Sequence, residues 1–109
     1  MELSTRGYDE EYTADSSALK FVVVDDSDKR QLIVSSVVCG LQHHELIPDN
    51  THLIGGGKIM NYGYAQQVFW NSPSCIEKHG YDRPLDTAEA AQVLMEVKKN
   101  IKEWMQKVL

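Results

Sequence analysis

Two runs of aliphatic and β-branched residues, 18–24 (ALKFVVV) and 31–39 (QLIVSSVVC), flank the polar stretch 25–30. That pattern predicts a strand, a turn and a second strand. Residues 21–24 are apolar without interruption, as in a strand covered on both faces, which places this strand inside a sheet. Residues 40–47 read as a helical turn or a loop that ends before Pro48, whose ring disfavours helix in the preceding residue. A second hairpin is predicted from 58–60 and 65–70 around the turn 61–64. Ahead of it, Gly55, Gly56 and Gly57 are expected in a loop, a bulge or a close-approach site, because glycine loses the most backbone freedom on ordering.

The segment 71–84 carries Pro73, Pro84, Gly80 and two serines, which is loop chemistry. Asp86 then stands three residues before Glu89 in a capping-box-like start, and the chain runs on to Leu109 without glycine or proline, predicting one long helix. Along it Ala90, Leu94, Val97, Ile101, Trp104 and Val108 recur at spacings of four and three, with Val93 and Met105 at the shoulder of the stripe. A stripe of that width suits packing on the chain's own sheet, and its heptad-like seam also allows a homodimer. The fold class that follows is α+β, a mainly antiparallel sheet of about four strands with the C-terminal helix on one face.

The 109 residues suffice for one domain and not for two hydrophobic cores. Of the formal charge of -5, much is concentrated at the start, where Glu2, Asp9, Glu10, Glu11 and Asp15 face Arg6 alone. Residues 1–17 are accordingly expected as a flexible acidic arm, and 18–109 as a single α+β domain. The near-neutral remainder lacks the basic face that a phosphate backbone requires, which argues against DNA or RNA as a partner. No apolar run approaches a membrane span and no export signal is visible, so the expectation is a cytoplasmic chain, monomeric or homodimeric, with reduced cysteines and no membrane partner.

Two familiar motifs fail on inspection. Lys58 follows the glycines but Ile59 stands where a P-loop needs Ser or Thr, and Arg30 occupies a ligand position in what would be a calcium loop beginning at Asp26. No motif implies a cofactor. The first constellation with usable chemistry is Lys20, His43, His44, Gly55, Gly56, Gly57 and Lys58. Histidine titrates near neutrality and serves as a general acid or base, successive glycine amides can converge on phosphate oxygens as a backbone nest, and lysine supplies compensating charge. The same residues also fit a tight turn beside a solvated histidine pair.

Their order along the chain resembles the Janus-like family that includes the small phosphohistidine phosphatases. The resemblance rests on LKFVVV (19–24), LIV (32–34), QHHELI (42–47), LIGGGKI (53–59) and VFWNS (68–72), within residues 18–74. It implies Lys20 as a phosphate-contacting cation, His43 or His44 as the acid/base, and the stretch from Ser72 to Ser74 as donors to phosphate oxygens. The function expected on this basis is a phosphate or anion site with phosphoryl-hydrolysing activity. The long C-terminal helix, and the absence of the family's tyrosine-glycine-aliphatic-serine pattern in a later strand, depart from it.

Two further readings come from other residues. Cys39 with His43 and Cys75 with His79 form a pair of Cys-x-x-x-His units, a spacing that puts thiolate and imidazole on one face of a helical turn and would suit zinc. Alternatively Cys39 is a buried strand residue and Cys75 an ordinary loop thiol. The loop 70–84 gathers Trp70, His79, Tyr81 and Arg83, side chains that make recognition surfaces, so a non-catalytic protein-interaction domain using this loop or the terminal helix is the second functional class. Phe69 or Trp70 is equally suited to filling the core.

Overall fold

The computed structural model describes residues 1–27, 29–62, 65–71 and 87–109. Strand β1 (Glu2–Arg6) leads into a short helix α1 (Glu10–Asp15), then β2 (Ala18–Asp26) and β3 (Lys29–Ser36). Two 3-10 turns, Val37–Cys39 and His43–Leu46, precede β4 (His52–Tyr62), β5 (Ala65–Asn71) and the long helix α2 (Thr87–Val108). The class is α+β, with five strands in the order β1-β3-β2-β4-β5. Every neighbouring pair is antiparallel except β1 with β3. Among the described residues no helix is long and apolar enough to cross a membrane.

β2 lies in the middle of the sheet, as its unbroken apolar run requires, and Phe21, Val22, Val23 and Val24 are fully buried. Successive strand residues point to opposite faces. Leu19, Phe21 and Val23, with Leu32, Val34, Ile54 and Ile59, meet Val93, Val97, Ile101, Trp104 and Met105 of α2 on one face. On the other, Val22, Val24, Ile33 and Leu53 are covered by Leu46, with Leu41 and Ile47 packed beside them. The apolar stripe of α2 is therefore docked on the chain's own sheet. Val93 and Met105, expected at its shoulder, are buried within it, and Leu94 is half-exposed, because a broad sheet engages a wider band of helix than a coiled-coil seam does.

The first seventeen residues correct the expectation of a flexible arm. β1 pairs in parallel with β3, with Leu3 opposite Leu32, and Met1 and Leu3 pack on the helix-side core. In α1 the Asp9 carboxylate accepts from the Tyr12 amide at 2.8 Å, capping the helix, while Thr13 and Ala14 are buried. The Trp104 indole N–H of α2 reaches the Glu10 carboxylate at 3.1 Å. Acidic residues that read as disordering in sequence are thus the solvent-facing and capping positions of ordered elements, and β1 is the strand beyond the expected four.

The glycine triplet corrects the expectation of a second hairpin confined to 58–60 and 65–70. It lies inside β4, between β2 and β5, with Val22 opposite Gly56 and Phe21 opposite Gly57. Pairing with β2 slips between Val23, opposite Gly55, and Val24, opposite Leu53. This bulge places the consecutive Ile54 and Gly55 both on the helix side, Ile54 in that core and Gly55 against Trp70, while Leu53 serves the other core.

Candidate functional site

Alternation along β2 turns Lys20 away from α2, onto the face where Leu41, Leu46 and Ile47 pack. Those side chains cover only part of that face. In the row beyond them, Lys20 stands directly opposite Lys58 of β4, and Lys58 directly opposite Phe69 of β5. Lys58 is exposed and Lys20 half-buried. The Lys20 ammonium donates to the Leu41 carbonyl at 2.9 Å, which spends one of its three N–H groups and pins its stem.

The 3-10 turn His43–Leu46 is held by a capping box between Gln42 and Glu45, and it brings His43 over β4. The His43 Nε2 lies 2.8 Å from the Gly57 carbonyl oxygen. A carbonyl only accepts, so Nε2 carries the proton and, in the neutral ring, Nδ1 is left as a bare acceptor. Burial lowers the His43 pKa below its ordinary value of 6.5; the bond to Gly57 pulls in the opposite direction, and the charges of Lys20 and Lys58 add to the lowering. His43 is consequently a neutral base at pH 7. We expect Lys58→Gln to move the His43 pKa upward, because it removes one of the two repelling cations; a pH titration of the imidazole carbon-bound protons by NMR measures it, and no movement would dissociate Lys58 from His43.

Of the expected site residues, Lys20, His43, Gly57 and Lys58 lie close together, with His43 as the histidine that reaches Gly57. His44 follows it in the same turn and is half-buried. The backbone nest is not formed. Gly55, Gly56 and Gly57 are strand residues paired with β2, Gly56 and Gly57 also with β5, and among the described residues the positive-φ glycines are Gly7 and Gly40. A nest needs alternating right- and left-handed backbone to make amides converge; in a central strand they point sideways into the ladders. The triplet instead permits close approach. A β-carbon on Gly55 would enter the Trp70 ring, and one on Gly57 would strike the Phe69 carbonyl oxygen.

Trp70, considered for an interaction loop, packs on the helix-side core, its ring centroid 6.2 Å from that of Phe21. The first zinc half-site is not assembled: Cys39 Sγ lies 2.8 Å from Ser35 Oγ, His43 is engaged with Gly57, and Gly40, in the left-handed region between them, ends the turn. Positions four apart share a face only on a continuous helix. Among the described residues no group of three or more His, Cys, Asp or Glu is placed to hold a metal. Ser72, Ser74, Cys75, His79, Tyr81, Arg83 and the Asp86 cap lie outside the described residues.

Phe69 was not among the expected site residues. The residue is 47% exposed, and the available signal was alternation: Val68 and Trp70 pack inward, so Phe69 must face out beside Lys58. Comparison with protein-family models, curated protein sequences and solved structures yields no match.

Proposed function

We propose that this chain binds a phosphoryl group on the part of the sheet where Lys58 and Phe69 are exposed, with Lys20 and Lys58 as its cations, and hydrolyses it with His43 as general base. The observation that carries this reading is the lysine pair directly opposite on adjacent strands. Like charges in that position destabilise a sheet, and among the described residues no carboxylate bridges either of them. An anion bound between the two ammonium groups relieves their repulsion, and charge-assisted hydrogen bonds to phosphate oxygens add to the gain. The neutral His43 beside them, with Nδ1 unprotonated, supplies the base.

In the reaction, water attacks phosphorus as His43 Nδ1 takes one of its protons. The bond from phosphorus to the leaving nitrogen or oxygen breaks, its electron pair stays on that atom, and the proton on Nδ1 passes to it, returning the base to its starting state. The resemblance to phosphohistidine phosphatases makes a phosphorus–nitrogen bond the first one to assay. The test is an NMR titration with inorganic phosphate at pH 7, following the amides and imidazoles of Lys20, His43, His44, Gly57 and Lys58. Concerted, saturable shifts in this group are expected, accompanied by release of phosphate from a phosphohistidine peptide; signals that stay unmoved would overturn the reading.

A further inference from the structure

We infer that this phosphoryl site takes, as a further ligand, a purine nucleoside monophosphate whose base lies on Phe69. This rests on the anion-site reading and adds the class of ligand. Phe69 is directly opposite Lys58, and Gln67, two residues along β5 on the same face, is directly opposite Met60. Directly opposed side chains have β-carbons about 5 Å apart, so the exposed ring and the two lysines adjoin on a single surface. An aromatic ring beside lysine charge on an open sheet is the combination that binds nucleotides, the ring stacking on the base while the cations meet the phosphate.

The size of the ring follows from β5. Residues two apart on one face of a strand are separated by about 6.8 Å. Gln67 is exposed, and its side-chain amide both donates and accepts, as the polar edge of a base requires. A fused two-ring base stacked on Phe69 extends further toward Gln67 than the six-membered ring of a pyrimidine does. Gln66 is no rival for this role: it faces the helix side, where its amide lies 2.7 Å from Met105 Sδ.

The experiment compares the affinities of the full chain for adenosine 5′-monophosphate and ribose 5-phosphate by calorimetric titration at low salt, with the base protons of the nucleotide followed by NMR. The nucleotide is expected to bind roughly tenfold tighter, the increment that stacking one base contributes, with its base protons shifted upfield by the Phe69 ring. Phe69→Leu, which keeps an apolar side chain in the strand, is expected to bring the nucleotide down to the affinity of ribose 5-phosphate. Equal affinity of the two ligands for the wild-type chain would overturn the inference and leave the anion site standing. A nucleotide advantage that survives Phe69→Leu would overturn it too, since the base would then lie elsewhere. Failure of both ligands to bind would remove the anion site, and the inference with it.

Discussion

A His43→Gln variant is expected to retain phosphate binding and lose phosphoryl hydrolysis by roughly two to four orders of magnitude, the range a positioned general base contributes. Glutamine is the informative replacement because its amide can still donate to the Gly57 carbonyl, now 2.8 Å from His43 Nε2, while offering no base. Alanine would leave that carbonyl without its side-chain partner, at a cost of about 1–3 kcal/mol where it is not rehydrated, and would mix a folding defect into the kinetics. Rates measured beside a urea denaturation curve separate the two effects. A glutamine variant with wild-type turnover would remove His43 from the chemistry.

The pH dependence carries a definite sign. Because the His43 pKa is lowered in the folded chain, the wild-type rate is expected to be on its plateau at pH 7 and to fall only as the pH drops below 6.5 through the folded value. Stability runs the same way. In the window between the lowered folded pKa and the ordinary 6.5, the unfolded chain holds more protons at this position, so stability rises with pH across it. This contribution is fully present above 6.5 and is lost on acidification.

The second large effect is expected from Gly57→Ala, a loss of about 3 kcal/mol or more, at the upper end of what overpacking costs. The added methyl would collide with the Phe69 carbonyl oxygen, which is backbone, and would stand 3.3 Å from Cε1 of the buried Phe21. Backbone in a paired strand yields only if β4 and β5 move apart. At Gly55 the obstacle is the Trp70 ring, a side chain that can turn, and about 1–3 kcal/mol is expected there. Urea midpoints of the two alanine variants, compared at constant m-value, test the order; Gly57→Ala should also slow phosphoryl hydrolysis, because the carbonyl that positions His43 moves with its strand. A Gly57→Ala chain as stable as wild type would contradict the close packing of β4 on β5.

Much of the architecture was legible from local pattern. The apolar run in β2 announced a central strand, and the stripe along α2 announced a helix lying on a sheet. β1 was hidden because its pattern is short, with Leu3 and Thr5 alternating among polar residues, and because its partner is β3, beyond α1 and β2. The acidic residues nearby then dominated a reading by composition. The glycine triplet left a loop, a bulge or a close approach open, because glycine propensity alone does not choose among them; the approach of Trp70 and of the Phe69 backbone, and the bulge beside Gly55, place it in a strand.

What the sequence by itself determined was the periodicity of its elements and the kinds of chemistry its side chains offer, because both depend on residues close together in the chain. Which histidine reaches Gly57, which face Lys20 takes, and that Phe69 stands opposite Lys58 were decided by tertiary structure alone. Register and the bulge at Gly55 set those facings, and they arise from strand pairings between segments distant in the chain, whose energies no local window contains.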